Sequence, residues 1–292
     1  MAQQSNLERP ELFKSFRFRR SARRIEKALL LAGKAAEASD YQPNIAVVVR
    51  TKNDRAGLQK TIDHINKERQ GYHGRIDLIV VDTESTDGTA ELAKKAGATL
   101  VQIQQKDFNY PKGINLGLEK AKNDVEAVFI TVGHAQLALS NCLQAGARHF
   151  KDQKVVGVYT DQTPNDNASF WEQVLFLFTP RLQRRMAAGL HRTPKLHIGA
   201  MQATGCMVRL SAWREQKFDE AYGHGGEDYI WAAWALGRGY SLIYDPAVAV
   251  HHSHRLGLIN LLRQIKYWIT AIRAPGDFDH KKLSKHRPDL KF

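Results

Sequence analysis

Strand and helix patterns alternate over residues 44–132 of this 292-residue chain. Apolar runs rich in β-branched residues are typical of buried strands, and the segments between them have helical spacing. The strand patterns lie at 44–51, 76–85, 98–103 and 126–132, and the helical ones lie at about 58–67, 89–97 and 112–122. Repeated β-α-β units favour a mostly parallel sheet covered by helices on both faces. The predicted fold class is therefore α/β.

Polar residues follow directly on three of these strands, at Arg50 to Asn53, Asp82 to Ser85 and Gly133 to Ala135. Ligands bind at the carboxyl ends of the strands in such sheets, so we expect these segments on one rim. His134 is then placed at a ligand site.

The segment after the second strand has two interpretations. Asp82 can accept a hydrogen bond from a ribose or a base N–H, and the helix that opens at Ser85 to Thr89 favours anions. The alternative for Thr86 and Asp87 is simple helix capping.

Composition excludes several classes of protein. The longest apolar runs are far shorter than the roughly 20 residues of a membrane-spanning helix, and no signal-peptide pattern precedes them. Cys142 and Cys206 are too few and too far apart for a disulfide framework or a metal knuckle. We therefore expect a globular cytoplasmic protein, with peripheral attachment to the inner face of the membrane left open.

The net charge of +13 is concentrated in two flanks, since residues 1–40 carry +4 and residues 255–292 carry +6. In the C-terminal flank, Arg263, Lys266 and Arg273 lie off a helical apolar stripe. The stripe consists of Leu258, Leu261, Leu262, Ile265, Trp268 or Ile269, and Ile272. Such a basic amphipathic helix either lies on an anionic membrane surface or packs on the core with solvated charges. Nucleic acid is disfavoured as a partner because the aromatic residues do not interleave with the charges.

Six segments resemble the motifs of family 2 glycosyltransferases, in the same order and spacing, over roughly residues 44–255. They are "VVVRTKND", "IVVDTESTDGT", "FNYPKGINLGLEKA", "VFITVGHAQ", "GGEDYIWAAWALGRGY" and "VHHSHR". They are most similar to the bacterial rhamnosyltransferase-type members. The resemblance implies a GT-A (Rossmann-like) domain at 44–255, between a basic helical N-terminal flank at 1–43 and a basic amphipathic C-terminal flank at 256–292.

The resemblance also implies a function. Such a protein moves a sugar, with inversion, from a nucleotide-sugar donor to a hydroxyl of a glycan or lipid-linked saccharide in cell-surface polysaccharide synthesis. The competing class is a non-catalytic, degenerate GT-A domain that binds a nucleotide or a polyanion.

Donor-binding residues can be carried over from the matching motifs. These are Arg50, Thr51, Asn53, Asp82, Ser85, Lys112, Asn115 and His134. Thr51 and Asn53 would line the nucleotide pocket, and they can equally be ordinary loop residues. Lys112 and Asn115 open a helix that faces the donor diphosphate in the family, whereas a solvated surface lysine is the alternative for Lys112.

The central strand departs from the family pattern. The family ends it with an Asp-x-Asp that holds a divalent cation, whereas "VGHAQ" places His134 there. Neutral imidazole suits Mn²⁺ or another transition ion better than Mg²⁺. His134 can alternatively donate a hydrogen bond to the phosphates without a metal. In "HHSH", strand alternation puts His252 and His254 on one face, where we expect them to reach the diphosphate or its metal, and His251 on the other, where it packs.

Two adjacent acids, Glu227 and Asp228, follow a glycine pair and begin a helix. A helix N-terminus stabilises a carboxylate, and inverting transfer needs one carboxylate to take the proton of the acceptor hydroxyl. By the family's Glu-Asp motif, Asp228 is the candidate base and Glu227 its acceptor-side partner, although the two roles can be exchanged. The intact pair argues against a pure binding domain.

Overall fold

The computed structural model describes residues 39–165, 168–177, 190–197, 199–222 and 225–273, together with Leu31 and Lys34; of residues 176–177 and 267–273 it describes the backbone alone. The strands are β1 (Ile45–Thr51), β2 (Ile76–Thr83), β3 (Thr99–Ile103), β4 (Ala127–Val132), β5 (Gln136–Leu137), β6 (Val155–Tyr159), β7 (His191–Arg192), β8 (Gly205–Arg209), β9 (Ser241–Tyr244) and β10 (Val250–His251). The helices are α1 (Arg55–Arg69), α2 (Thr89–Lys95), α3 (Tyr110–Leu118), α4 (Cys142–Ala147), α5 (Phe170–Leu177), α6 (Leu210–Glu215), α7 (Glu227–Gly237) and α8 (Leu258–Arg273).

The main sheet has the strand order β3-β2-β1-β4-β8-β6-β9-β7. The first four strands are parallel, as predicted, with β1 between β2 and β4. The register pairs Thr51 with Asp82 and Arg50 with Val132, so the ends of β1, β2 and β4 lie side by side. This confirms the predicted rim.

The second half of the sheet is mixed. Strand β8 is antiparallel to both β4 and β6, whereas β6 and β9 are parallel and β7 closes the sheet antiparallel to β9. Because β6 has the same direction as β4, the end of β6 joins the same rim. The α/β fold class is confirmed, and its antiparallel part comes from β8 and β7, neither of which the sequence patterns predicted.

Both faces of the sheet are covered by helices. Alternate β1 side chains pack in opposite directions, so Val48 joins the cluster that contains Ile114 of α3 and Trp231 of α7. Val47 joins the opposite cluster, with Leu58 of α1 and Leu143 of α4. The core therefore forms two layers, as expected for strands buried on both sides.

The apolar segment at 242–250, which precedes "HHSH", is divided in two by a 3₁₀ turn at Pro246–Val248. The Asp245 carboxylate accepts a hydrogen bond from the Ala247 N–H at the start of that turn. After the turn, β10 leaves the main sheet and pairs antiparallel with β5, so that His251 lies opposite Gln136. This pairing brings the "HHSH" segment next to the residue that ends the central strand.

The described part of the chain contains no helix that is long and apolar enough to span a bilayer. Apart from Leu31, Lys34 and residues 39–43, the predicted N-terminal flank lies outside the described residues, as do residues 274–292 of the C-terminal flank. The predicted C-terminal helix is present as α8.

Candidate active site

Three histidines converge at the rim where β4 ends. Nε2 of His134 lies 2.8 Å from Nε2 of His252, and ring nitrogens of His134, His252 and His254 all lie within 4.8 Å of one another. The rings of His252 and His254 meet edge to face, with their centres 4.5 Å apart. The sequence prediction that His134 meets His252 and His254 is therefore supported by their positions.

His251 has a different environment. Its Nδ1 lies 2.6 Å from the Thr163 hydroxyl, in the segment that follows β6. This places His251 in the packing of β10, as the strand alternation predicted.

Two imidazoles of the cluster, those of His134 and His252, are held neutral. Burial, together with the neighbouring histidines and Arg50, lowers the pKa of His252 to about 3. Burial and His254 also lower the pKa of His134, against the attraction of Asp54. Neutral rings keep a lone pair for a ligand, which a protonated ring cannot offer.

Two residues that were not among the predicted site residues, Gln162 and Asp54, lie next to these rings on the side away from the centre of the cluster. The Gln162 side-chain oxygen lies 2.9 Å from Nδ1 of His252. Because an amide oxygen only accepts, Nδ1 carries the proton and Nε2 presents its lone pair towards His134. On the other side, an Asp54 carboxylate oxygen lies 3.8 Å from Nδ1 of His134.

Besides lying next to His134, Asp54 has a local structural role. Its Oδ1 accepts the N–H of Gly57 and caps α1, while its Oδ2 is buried and has no hydrogen-bond partner among the described residues. A carboxylate or carbonyl behind a histidine is the usual support of a metal-binding imidazole. In the sequence, Asp54 has the pattern of a helix cap and Gln162 that of a loop residue. The motif "TKND" was the one pattern that could have pointed to Asp54 as a site residue.

The donor set of the cluster fits a transition cation. Three imidazoles within reach of one point, with oxygen atoms behind two of them, suit Mn²⁺, Zn²⁺ or similar ions better than Mg²⁺, which prefers oxygen ligands.

A second polar pocket lies where β1 and β2 end. Asp82 is fully buried, and its Oδ2 accepts the N–H of Ser85 at 3.1 Å. Its Oδ1 and the buried hydroxyl of Thr51 have no hydrogen-bond partner within the described ranges. Burying an unpaired acceptor is costly, so these two atoms indicate a bound polar group such as a base or ribose.

Asn53 and Ser85 join the two loops of this pocket. The Asn53 N–H donates to the Ser85 hydroxyl at 2.8 Å, and the Thr86 N–H donates to the Asn53 side-chain oxygen at 2.7 Å. The Asp87 carboxylate accepts the N–H of Thr89, which agrees with the capping alternative for that residue. Asn53 and Ser85, both predicted donor-binding residues, therefore shape the pocket. A direct contact between either residue and the donor stays a prediction.

The structure corrects the prediction for Asn115. Its amide donates to the Phe218 carbonyl and to Glu220, and its oxygen accepts from the Trp213 indole and the Phe218 N–H. These bonds use both donors and both lone pairs of the amide, leaving nothing for a ligand. Asn115 instead anchors α3. Lys112 is half-buried in the first turn of α3, where a contact with the diphosphate stays a prediction.

Arg50 is buried behind the rim, with its guanidinium donating to the Ala203 carbonyl at 3.2 Å. It lies 5.6 Å from the centre of the Tyr110 ring. Its charge favours ionisation of Glu227 and lowers the pKa of His134 and His252. A direct contact between Arg50 and the donor stays a prediction.

Glu227 and Asp228 begin α7, as predicted, after Gly226 in a left-handed conformation (φ 95°) that favours glycine. The half-buried Asp228 carboxylate accepts the N–H groups of Ala203 at 3.0 Å and Tyr229 at 2.7 Å. Burial raises the pKa of Asp228, against these two hydrogen bonds and Arg50.

Glu227 lies deeper than Asp228. It is 4% exposed, and its Oε2 has no hydrogen-bond partner in the described part of the chain. Burial, and then the charge of Asp228, raise the pKa of Glu227 to about 8. A carboxylate that is accessible and held by two N–H groups fits the proton acceptor, whereas the deeper one fits a supporting role.

The raised pKa of Glu227 predicts a pH-dependent cost in stability. The folded chain holds this proton more tightly than the unfolded chain, whose glutamate pKa is near 4.5, so stability from this group is full below 4.5 and is lost as pH rises to about 8. Glu227→Gln removes the loss. Its free energy of unfolding relative to wild type should rise by roughly 2–4 kcal/mol between pH 5 and pH 8.5.

Denaturant unfolding at both pH values measures this difference. Glu119→Gln is the matched control, because Glu119 is an exposed partner of Lys217. An equal rise for both variants, or none for Glu227→Gln, would contradict the buried environment described for Glu227.

Residues 46–214 match the model of the family described as Glycosyl transferase family 2. The chain belongs to glycosyltransferase family 2. It is therefore a nucleotide-sugar-dependent glycosyltransferase, and its fold is the GT-A fold.

Individual relatives of this glycosyltransferase are distant. The O-antigen chain rhamnosyltransferase WbaN of Salmonella anatum is 23% identical over 217 residues, which are 73% of this chain and 67% of that protein. The mannosyltransferase PcManGT from Pyrobaculum calidifontis, in complex with GDP-Man and Mn²⁺, is similar with a TM-score of 0.54 and 17% identity, over 92% of this chain and 81% of that one. Mannosyl-3-phosphoglycerate synthase from Rubrobacter xylanophilus has a TM-score of 0.54 and 13% identity, over 90% and 79% of the chains. These structural likenesses show the fold.

Proposed function

We propose that the protein transfers a sugar, with inversion at the anomeric carbon, from a nucleotide-sugar to a hydroxyl of a saccharide or lipid-linked acceptor in cell-surface polysaccharide synthesis. One observation carries the proposal: Arg50 donates to the Ala203 carbonyl, whose own N–H donates to Asp228, and the Arg50 carbonyl accepts the N–H of Gly133 beside His134, so the acid pair and the histidine cluster lie at one site. The similarity to an O-antigen chain rhamnosyltransferase supports the class of product.

Asp228 is proposed as the general base. Its carboxylate accepts the proton of the acceptor hydroxyl while that oxygen bonds to the anomeric carbon and the bond from this carbon to the nucleoside diphosphate breaks. Two backbone N–H groups fix the direction of the carboxylate. Glu227 and Arg50 lie beneath it and set its electrostatic environment.

His134, His252 and His254 are proposed to hold a divalent cation, with Mn²⁺ favoured over Mg²⁺. The cation would neutralise the diphosphate of the donor. The convergence of three imidazoles supports this, as does the Mn²⁺ bound with GDP-Man in the structurally similar mannosyltransferase. The alternative is a metal-independent enzyme in which His134 donates a hydrogen bond to the phosphates.

Asp82 and Thr51 are proposed to bind the nucleoside, with Ser85, Asn53 and Lys112 around it. The unpaired Asp82 Oδ1 and Thr51 hydroxyl support this assignment. Residues 44–255 are proposed as the catalytic domain, with basic flanks at 1–43 and 256–292 that attach it peripherally to the cytoplasmic face of a membrane.

Donor hydrolysis tests the catalytic proposal against a degenerate, non-catalytic domain. Nucleotide sugars would first be screened by thermal shift with and without Mn²⁺, and hydrolysis of the stabilising donor would then be measured. A catalytic site hydrolyses it slowly in the wild type and loses this in Asp228→Asn. Binding without hydrolysis in either protein would favour the binding domain.

Asp82→Ala should weaken nucleotide binding by about 1–3 kcal/mol, the range for losing a hydrogen bond in a closed site. Calorimetric titration with UDP, GDP and dTDP measures it. Asp87→Ala is the matched control, since Asp87 caps the following turn and faces the Arg55 N–H. Unchanged affinity for all three nucleotides in Asp82→Ala would place the nucleoside elsewhere.

A further inference from the structure

Large apolar side chains are exposed where α5 and α8 meet. The exposed fractions are 68% for Phe170, 40% for Trp171, 41% for Leu258, 68% for Ile259 and 57% for Leu262. The Ser169 hydroxyl donates to the Leu256 carbonyl at 2.5 Å, which holds the starts of the two helices together. These five side chains are called here the α5–α8 surface. Contiguous exposed apolar residues of this size are typical of an interaction site.

The orientation of α8 divides its apolar stripe. Leu261 is 5% exposed and packs inwards, whereas Leu258, Ile259 and Leu262 face outwards. One side of α8 therefore packs on the protein, and the opposite side is free to lie on a membrane. The side chains on the outward side do not contribute to the hydrophobic core.

The charged side chains of α8 and of the segment that leads into it have one sign. Arg255, Arg263 and Lys266 are exposed, and residues 255–273 contain no acidic side chain. Aromatic and aliphatic groups bordered by cations match the boundary between the headgroups and acyl chains of an anionic membrane.

We propose that the α5–α8 surface docks on anionic lipid headgroups, with Ile259, Leu262, Phe170 and Trp171 entering the interface and the basic residues binding the headgroups. The proposal deepens the proposed function, on which it rests for the lipid-linked acceptor. It assigns membrane attachment to a surface built from two helices, one of which, α5, carries no sequence signal for membrane binding.

Glu172 connects this surface to the histidine cluster. One of its oxygens accepts the N–H of Ser169 at 2.7 Å, while the Glu172 N–H donates to the Ser169 hydroxyl, forming a capping box at the start of α5. The other oxygen accepts the backbone N–H of His254 at 2.8 Å. Docking would therefore hold the site next to the membrane surface, where a lipid-linked acceptor presents its sugar.

Co-sedimentation of the full chain with vesicles tests the surface. The vesicles contain phosphatidylcholine alone or with phosphatidylglycerol. Wild type should bind the anionic vesicles preferentially and lose binding as salt rises, because the attraction is screened within about a Debye length. Arg263→Gln with Lys266→Gln should lower the partition coefficient about 25-fold, since each basic residue contributes about fivefold.

Ile259→Ser with Leu262→Ser should lower the coefficient at least as much, through lost apolar insertion. Lys60→Gln with Lys67→Gln is the control for net charge, because both lysines are exposed on α1, and it should change binding less than twofold. Thermal unfolding checks that each variant is folded.

The proposal is overturned if wild type fails to bind anionic vesicles at low salt, if the α1 control loses as much binding as the α8 variants, or if Ile259→Ser with Leu262→Ser binds normally. A concentration-dependent dimer that this variant abolishes, without vesicle binding, would assign the surface to a second copy of the chain. Donor hydrolysis without vesicles should persist in all these variants. Its absence from wild type would refute the proposed function and leave the vesicle result interpretable.

Discussion

Asp228→Asn is expected to keep donor binding and lose sugar transfer by about 10²–10⁴-fold, the usual contribution of a general base. The amide has nearly the shape of the carboxylate, and its one oxygen can accept the N–H of Ala203 or of Tyr229, whereas the two carboxylate oxygens accept one each. Thermal unfolding checks that α7 keeps its start. The amide cannot take the acceptor proton. The loss should therefore fall on kcat, with the Kd of the donor unchanged.

Glu227→Gln separates the two acids. If Asp228 is the base, Glu227→Gln should reduce transfer much less than Asp228→Asn, because Glu227 is deeper and acts through its effect on Asp228 and Arg50. The reverse order of the two losses would exchange the roles. Near-normal turnover in both variants would remove the pair from the chemistry. Single-turnover measurements with saturating donor separate binding from transfer.

The rim of the site was predictable because it depends on local patterns. Each of the strands β1, β2 and β4 is a short apolar run, and a polar residue follows it directly. Parallel pairing then aligns their ends, so these local patterns are enough to predict that Thr51, Asp82 and His134 lie on one rim.

What the sequence did not reveal depends on distant pairings. Strand β8 inserts between β4 and β6, about 75 residues after β4 in the chain, and no local pattern specifies such a partner. Asn115 looked like a ligand because of its motif, yet its hydrogen bonds go to Trp213 and Phe218, roughly 100 residues away. Gln162 contacts His252 across a similar separation. Side-chain partners of this kind follow from the completed fold.

The histidine cluster gives the other large expected effect. His134→Ala and His252→Ala should each lower Mn²⁺ affinity more than about 100-fold, because removing a direct ligand costs more than the 10–100-fold typical of a supporting residue. Gln162→Leu should fall within that lower range, since Gln162 orients His252 without facing the cation. Paramagnetic resonance of free Mn²⁺ measures affinity without turnover, so the result does not depend on knowing the donor.

His251→Ala is the control that decides the interpretation. His251 is adjacent to His252 in sequence, yet its ring binds Thr163 on the other side of β10, so Mn²⁺ affinity should change less than about threefold. Equal losses in His251→Ala and His252→Ala would show that the region is merely disturbed. If wild type binds no Mn²⁺ and transfers sugar fully in excess chelator, the cluster holds no cation, and His134 contacts the diphosphate directly. His134→Ala would then weaken the donor itself, by about the 1.5–3 kcal/mol of a hydrogen bond to a charged group.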